Sequence, residues 1–268
     1  MKYALITGAG SGQGLKAVQI LSELGYFVFA CDIFLDNFKE TKFQNVNPMY
    51  MDVTSNEQIN AAYNQIIGVT NKIDVILNFA SIGLMDSLIE GSVERVQKVL
   101  EVNVIGMVKV NKAFFPLVYN ARGRIINIGS EYGWQTTEAF FGAYAMSKHA
   151  VRVYTDSLRR ELNMLGVKVI EIMPGNFESN FNAQIKSHFN ELRQTSKLYG
   201  NALIKMGPHL EDDLNKVNDF KYLKLAITDA VKSRNPKIRY KVKSSSKMVF
   251  MSLLPTKIAD SLFLDDIK

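Results

Sequence analysis

Short apolar runs alternate along the chain with longer segments in which apolar residues recur at helical spacing. In the first such unit, the apolar run 3–6 precedes Leu15, Val18, Leu21 and Leu24, which fall on one helix face. Strands are expected near 2–7, 26–32, 48–52, 73–79, 122–129, 167–173 and 237–242, and helices near 13–24, 55–68, 86–118, 140–165 and, with breaks, 178–232. Such alternation favours a parallel sheet with helices on both faces. The pattern therefore predicts an α/β protein with one doubly wound parallel sheet of about seven strands.

No linker, repeat or low-complexity tract divides the 268 residues, so we expect a single domain over 1–268. Apolar residues make up 47% of the chain, which excludes disorder, and no apolar stretch has the length of a membrane span. The single cysteine, Cys31, excludes an intrachain disulfide. Met1 leads directly into the first expected strand, leaving no room for a signal peptide. These features favour a cytoplasmic protein.

A glycine-rich turn follows the first expected strand, with the sequence Thr7-Gly8-Ala9-Gly10-Ser11-Gly12-Gln13-Gly14. Glycines let a backbone approach phosphate groups closely, and the following helix N-terminus offers free N–H groups and the positive end of a dipole. The spacing differs from G-x-G-x-x-G and fits T-G-x-x-x-G-x-G instead. The turn therefore predicts a dinucleotide site made by Gly8, Ser11, Gly12, Gln13 and Gly14.

Asp32 ends the second expected strand, eighteen residues after Gly14. A carboxylate at this point can accept hydrogen bonds from both ribose hydroxyls of an adenosine, and it would repel a 2′-phosphate. The next residues, Ile33, Phe34 and Leu35, carry no positive charge that could receive such a phosphate. The sequence thus favours NAD over NADP.

Tyr144 and Lys148 stand four residues apart, one turn above each other if the segment is helical. A free phenol has a pKa of about 10 and is a poor acid or base at neutral pH. A nearby ammonium favours the phenolate and lowers that pKa. The pair is therefore a candidate acid/base device for interconverting an alcohol and a ketone, although a solvated helix face could carry the same two residues.

Further motifs extend the pattern in a fixed order along the chain, and together they resemble the short-chain dehydrogenase/reductase family over Lys2 to about Ser179. They are Asp52-Val53, Asn78-Phe79-Ala80-Ser81, Asn103, Ser130 fourteen residues before Tyr144, and Pro174-Gly175-Asn176-Phe177-Glu178-Ser179. The resemblance implies a Rossmann-type fold, a homodimer or homotetramer, and a small-molecule alcohol or ketone as substrate. It is nearest to the retinol and hydroxysteroid dehydrogenase branch, which favours a lipophilic substrate.

The same resemblance assigns roles to residues. Tyr144 is the implied catalytic acid/base, Ser130 orients the substrate oxygen, Lys148 holds the nicotinamide ribose and lowers the Tyr144 pKa, and Asn103 positions Lys148 through a water. The implied cofactor-binding residues beyond the glycine turn and Asp32 are Asp52, Val53, Asn78, Ala80, Tyr144, Lys148, Pro174, Gly175, Phe177 and Ser179. A substrate lid is implied near 180–210.

One motif departs from the family pattern. The family's Asn-Asn-Ala-Gly reads Asn78-Phe79-Ala80-Ser81 here, so an amide and a glycine are lost. Because the glycine lies near the nicotinamide ribose in relatives, Ser81 puts the local backbone geometry in question.

The net charge is +6, with a basic run from Lys232 through Lys247. Within this run Ile238, Tyr240 and Val242 alternate with charged residues, as in a last strand with one buried face and a lysine-protected edge. Aromatic residues are not interleaved as in single-strand binders, so no nucleic-acid partner is expected. The apolar tail near 246–268 is expected to pack on the sheet edge or on another subunit, with a membrane surface as the alternative.

Two other functions stay open, and a metal is not expected. The three histidines lack the spacing and carboxylate neighbours of a metal site. A sensor that binds NAD without turnover is one alternative, but such relatives usually lose the Tyr or the Lys. A nucleotide-sugar epimerase or dehydratase is the other, and the chain after Pro174 is short for its substrate domain.

Overall fold

The computed structural model describes residues 1–40 and 43–265 and contains one seven-stranded parallel sheet. Its strands are β1 (Lys2–Thr7), β2 (Tyr26–Asp32), β3 (Val46–Tyr50), β4 (Val75–Asn78), β5 (Arg124–Ile128), β6 (Lys168–Pro174) and β7 (Arg239–Val242). The spatial order is β3-β2-β1-β4-β5-β6-β7, and every neighbouring pair is parallel. The predicted Rossmann-type sheet of seven strands is confirmed.

Helices cover both faces of this sheet. They are α1 (Gly12–Glu23), α2 (Asn37–Glu40), α3 (Asn56–Ile67), α4 (Val93–Leu100), α5 (Met107–Asn120), α6 (Gly142–Asn163), α7 (Asn180–Thr195), α8 (Gly200–Asn215), α9 (Lys221–Lys232), α10 (Ser246–Met251) and α11 (Thr256–Asp265), with a π-helical segment at Glu101–Gly106 and a 3-10 turn at Glu131–Gly133.

Two apolar cores form because successive strand residues point to opposite faces of the sheet. In β1, Ala4 and Ile6 belong to the core shared with α1 and α9, whereas Leu5 belongs to the core shared with α3 and α5. Cys31 lies in this second core and is fully buried, as expected for a small core residue. Packing on both faces explains why the central strands are nearly continuous apolar runs.

The chain reverses direction across the sheet between β1 and β4, since β2 and β3 lie on one side of β1 and the later strands on the other. In open parallel sheets, ligands bind at such a switch point, outside the carboxyl ends of the strands. The glycine turn after β1 and the segments after β4, β5 and β6 all meet there. The topology therefore brings the sequence motifs to one edge of the sheet.

The prediction of a single helix over 86–118 is wrong for its first part. Residues 80–92 form turns and loops, and α4 begins at Val93, where the Ser92 hydroxyl accepts a hydrogen bond from Arg95 N at 3.4 Å. A serine that can cap the first turn explains this later start. The π-helical segment then separates α4 from α5.

The described part of the tail packs beside the carboxyl end of β5. Met248 and Met251 of α10 are buried, and the Ser252 hydroxyl accepts a hydrogen bond from Thr136 N at 2.7 Å. β7 lies at one edge of the sheet, with Tyr240 buried as expected. Ile238 is 57% exposed, contrary to the alternation, because the strand begins only at Arg239.

Candidate active site

A cleft of about 760 Å³ runs along the carboxyl ends of the strands, from the glycine turn to α8 and α10. Its volume is in the range of sites that hold small molecules and cofactors. One half is bounded by the glycine turn and the end of β2. The other half is bounded by the segment after β5, by α7 and α8, and by the start of α10.

The glycine turn brings backbone against backbone at two positions where no side chain fits. Gly8 has a φ of +65°, and a Cβ there would lie 2.5 Å from Ala80 N. A Cβ on Gly14 would lie 1.9 Å from Gly8 O. Both distances are far below contact, so the glycines leave the turn open for the phosphates of a dinucleotide.

The N-terminus of α1 faces this opening. Ser11 is the N-cap residue, but its side chain makes no capping hydrogen bond. The first N–H groups of a helix have no partner within the helix and carry partial positive charge. The first turn of α1 can therefore bind a pyrophosphate, as the sequence predicts.

Asp32 lies at the end of β2 on the same side of the cleft. Its Oδ2 accepts a hydrogen bond from Gly10 N at 2.7 Å, and its Oδ1 accepts one from Phe34 N at 2.9 Å. These backbone donors fix the carboxylate at the rim of the cleft. Among the described residues, the neighbouring wall is formed by apolar side chains and carries no Lys or Arg.

Ser130 and Tyr144 meet at the junction of the two halves, where the Ser130 hydroxyl is near enough to the Tyr144 phenol to lower its pKa. Ser130 follows β5, and Tyr144 lies in the first turn of α6. Tyr144 is buried, and this burial raises its pKa well above the usual range, which the neighbouring Ser130 hydroxyl partly opposes. The phenol is therefore protonated at neutral pH.

Lys148 lies one turn further along α6 and is also buried. Its Nζ donates to Ile128 O at 3.2 Å and lies 5.6 Å from the centre of the Tyr144 ring. Burial lowers the pKa of Lys148 to about 8, although the Glu171 carboxylate opposes this shift. Lys148 is not among the groups that shift the pKa of Tyr144, so the expected lowering is not seen in this arrangement.

Asn103 lies in the π-helical segment and supports the site without lining the cleft. Its side chain accepts from Ile82 N at 2.8 Å, and it donates to Ile82 O and to the Ser147 hydroxyl, each at 3.0 Å. It therefore ties the segment after β4 to the residue that precedes Lys148. Single π-turns within helices occur frequently at functional sites.

Asn78 and Asp52 also lie behind the cleft wall rather than in it. Asn78 donates to Asn111 Oδ1 and Asn127 Oδ1, at 2.8 and 2.9 Å, within a buried amide network. Asp52 Oδ1 accepts from the backbone N and the hydroxyl of Thr54, both at 2.8 Å. Their contacts indicate that both residues hold the loops after β3 and β4.

The other predicted site residues all line the cleft. They are Gly8, Ser11, Gly12, Gln13, Gly14, Asp32, Val53, Ala80, Ser130, Tyr144, Lys148, Pro174, Gly175, Phe177 and Ser179. Ser81 also lines it and has no positive φ, so this position does not require a glycine.

Some of the remaining lining residues lie in the expected lid segment, and others were missed by sequence reasoning. The Phe181 ring centre lies 4.9 Å from that of Tyr144, and the Tyr132 ring meets Tyr144 edge-on at 5.7 Å. The missed wall residues beside Tyr132 are Glu131, Gln135, Glu138, Phe141, Asp213, Met248 and Phe263, whereas Phe181, Met206 and Leu210 belong to the lid segment expected near 180–210. The position of Glu131 and Tyr132 directly after Ser130 is a usable signal, but the rest are brought in by the packing of distant helices.

The structure offers neither a metal centre nor a membrane span within residues 1–40 and 43–265. No group of His, Cys, Asp and Glu side chains there could hold a metal ion. In the same ranges, no helix combines the length and the apolar character that a bilayer crossing requires.

Comparisons with known proteins agree with this geometry. The short chain dehydrogenase family model matches residues 2–190. Retinol dehydrogenase 16 of Rattus norvegicus is 31% identical over 281 residues, covering 98% of this chain and 87% of that protein. The 3-ketodihydrosphingosine reductase of Bacteroides thetaiotaomicron is 30% identical over 247 residues, covering 92% and 89%.

The same fold occurs in a solved short chain dehydrogenase/reductase from Burkholderia phymatum in complex with NAD, with a TM-score of 0.79 and 20% identity. That match covers 97% of this chain and 95% of the other. The chain belongs to the short-chain dehydrogenase/reductase family. It is an NAD(P)-dependent oxidoreductase acting on CH–OH groups.

The burial of Lys148 predicts a cost in stability. At pH 7 the folded protein holds a buried ammonium whose pKa is about 8 instead of the ordinary 10.5. We expect Lys148→Met to raise the unfolding free energy of the cofactor-free protein at pH 7 by roughly 2–3 kcal/mol, since each pKa unit corresponds to about 1.4 kcal/mol. Chemical denaturation at several pH values measures this.

The sign of the pH dependence follows from the same shift. Between about pH 8 and 10.5 the unfolded chain keeps the proton that folded Lys148 has lost, so wild-type stability rises with pH there. The gain from Lys148→Met should therefore vanish above pH 10.5. The exposed Lys112, changed to Met, is the matched control. A Lys148→Met protein less stable than wild type at pH 7 would contradict this account.

Proposed function

We propose that the protein is an NAD-dependent oxidoreductase that interconverts a lipophilic secondary alcohol and the matching ketone. The observation that carries this proposal is the buried Ser130–Tyr144 pair, which lies between the half of the cleft bounded by the glycine turn and the half that contains the apolar wall. A proton donor at this junction can reach the oxygen of a substrate whose carbon faces the cofactor.

The nicotinamide, when bound, accepts or donates the hydride. In the reductive direction Tyr144 gives its proton to the carbonyl oxygen, and Ser130 holds that oxygen by a hydrogen bond. In the oxidative direction the deprotonated Tyr144 takes the proton of the substrate hydroxyl. Burial favours the protonated phenol, which is the form that reduction needs.

Lys148 and Asn103 support these groups in the proposed mechanism. Lys148 is buried beside the Tyr144 ring and would hold the nicotinamide ribose through its ammonium. Asn103 would act as a positioning residue, because the hydrogen bond from its side-chain amide to the Ser147 hydroxyl fixes the turn of α6 that carries Lys148. Phe181 lies against the Tyr144 ring and would exclude water from the reacting atoms.

A lipophilic substrate is supported by the second half of the cleft. Side chains from the segment before α6, from α8 and from the tail form an apolar wall there, made by Phe141, Met206, Leu210, Met248 and Phe263. The names of the two related enzymes, retinol dehydrogenase 16 and 3-ketodihydrosphingosine reductase, refer to lipids. Burying a long apolar chain against such a wall is favourable.

The chemistry predicts the effect of Tyr144→Phe. The ring remains and only the proton donor is lost, so turnover should fall by about a thousandfold or more. NAD binding should be nearly unchanged, because the phenol hydroxyl is not needed to fill the cofactor half. Steady-state kinetics and calorimetric NAD binding measure the two effects.

Tyr154→Phe is the matched control for this substitution, since Tyr154 lies on the same helix outside the cleft. Its hydroxyl accepts from Asn111 rather than facing substrate. If Tyr144→Phe kept most of its activity, Tyr144 would not be the acid/base.

The position of Asp32 predicts cofactor preference. Wild type should use NAD at least about tenfold more efficiently than NADP, because an ionised carboxylate repels the 2′-phosphate. Asp32→Asn should remove that repulsion while keeping an acceptor for one backbone N–H, so the NAD-to-NADP ratio of kcat/KM should fall. The exposed Asp36, which pairs with Lys39, provides the control Asp36→Asn. Equal use of NADP by wild type would remove the basis of this assignment.

A further inference from the structure

Three carboxylates line the end of the cleft that lies beyond Tyr144. Glu131 and Glu138 come from the segment between β5 and α6, and Asp213 comes from α8. Glu131 is 9% exposed, and its Oε2 accepts a hydrogen bond from Ser245 N at 2.7 Å. A carboxylate as buried as that of Glu131 needs a partner to offset its desolvation.

Lys243 and Lys247 line the cleft as well, but no cation of the described residues shifts the pKa of Glu131. Burial raises its pKa to about 7, the negative charges of Glu138 and Asp213 raise it further, and only the bond from Ser245 N opposes them. Among the described groups that shift this pKa, none is positively charged. A ligand that carries a positive charge would therefore stabilise the ionised form of Glu131.

Glu138 is in a similar position. Burial raises its pKa, and the charge of Asp213 adds to this, although the Tyr132 hydroxyl and the ammonium of Lys247 act in the opposite direction. Lys216 Nζ lies 3.6 Å from Asp213 Oδ1, so the Asp213 charge is offset in part at the exposed rim. Lys247 thus acts on Glu138 and Lys216 on Asp213, and Glu131 is the carboxylate of the three whose pKa no described cation shifts.

A second, independent feature points to a ligand at the same place. Gln135 also lines this end of the cleft and is only 4% exposed. Within the described part of the chain, its Nε2 has no hydrogen-bond partner. A buried amide nitrogen without an acceptor is costly unless something supplies one. A ligand oxygen, hydroxyl or carbonyl, would do so.

These groups lie close to the reacting centre. Tyr132 donates its hydroxyl to Glu138 Oε2 at 2.8 Å, and its ring meets Tyr144 edge-on at 5.7 Å. Glu131 directly follows Ser130, and its charge raises the pKa of Tyr144. A cation bound at Glu131 would therefore lie on the side of the cleft that carries Ser130 and Tyr144.

We propose that the substrate is a long-chain amino alcohol, or the matching amino ketone, whose protonated amine is bound by Glu131, with Glu138 adding negative charge beside it. This inference rests on the proposed function and names the substrate class of that same site. Gln135 donates to an oxygen of the ligand, and the apolar wall around Phe141 and Met206 receives the chain. This substrate class matches the site in three ways: the carboxylates accept from an ammonium, Gln135 donates to an oxygen, and the apolar wall receives a chain. A retinoid or a simple alkanol has no ammonium for the carboxylates.

Calorimetric binding of dodecylamine and of dodecanol to the full-length protein with NAD present tests the amine site without turnover. The two probes share one chain and differ in the charge of the head group. Dodecylamine should bind at least about tenfold more tightly, because a charge-assisted hydrogen bond is worth more than one between neutral groups. Equal affinities of the two probes in wild type would overturn the proposal.

Substitutions locate the site. Glu138→Gln and Glu131→Gln keep size and an acceptor oxygen, and each should reduce dodecylamine affinity toward that of dodecanol. Glu161→Gln changes an exposed carboxylate of α6 outside the cleft and should leave both affinities unchanged. Thermal unfolding checks that each variant is folded. Loss of amine affinity in the Glu161 variant to the same degree would mean that dodecylamine binds to the surface, which overturns the assignment.

Turnover separates this proposal from the proposed function. With NAD, a linear secondary alkanol that carries a primary amine beside the hydroxyl should be oxidised with a kcat/KM at least about tenfold above that of the same alkanol without the amine. A preference for the amine-free alkanol would overturn the amine site. If neither alkanol is oxidised while the carboxylate-dependent binding of dodecylamine persists, the proposed function fails and the amine site stands.

Discussion

Removal of Tyr144 and Lys148 from water is the constraint on which the rest of the site depends. A phenol and an ammonium held together in solvent would titrate near their ordinary pKa values, but burial keeps the phenol protonated and brings the Lys148 pKa down to about 8. Each ionisation state therefore becomes sensitive to whatever charge enters the cleft. Nicotinamide, which is a cation in its oxidised form, is such a charge, so cofactor binding and proton transfer are coupled through desolvation.

Parallel strand pairing makes this burial possible. It brings the carboxyl ends of β4, β5 and β6 to one edge, where the segments that follow them support α6 from behind. Asn103 bonds to Ser147, and the Ile128 carbonyl accepts from Lys148, so the two turns of α6 that carry the pair are held from two sides. Phe181 of α7 covers Tyr144 from the front. The cofactor half is thus set by backbone geometry, whereas the substrate half is set by side chains from helices far apart in sequence.

This division explains what the sequence could predict. Gly8, Gly14, Asp32, Ser130 and Tyr144 occupy positions where a turn, a strand end or a helical spacing leaves a local pattern, and all of them line the cleft. Asn78 and Asn103 belong to equally clear motifs, yet their side chains face inward. A motif indicates that a residue is needed, but it does not indicate which way the side chain points. Glu138, Asp213 and Met206 leave no such pattern. They meet only after the helices pack, through contacts that no short window contains.

The most direct test of this coupling is the ionisation of Tyr144 itself, followed by NMR of protein with isotope-labelled tyrosine, with Tyr144→Phe used to assign the signal. Without cofactor, burial should hold the Tyr144 pKa above the ordinary value of about 10. With saturating NAD, the Tyr144 pKa should fall by at least about one unit, because a cation at the site favours the phenolate. A Tyr144 that titrates near its ordinary pKa without cofactor, or whose pKa does not change when NAD binds, would contradict the account.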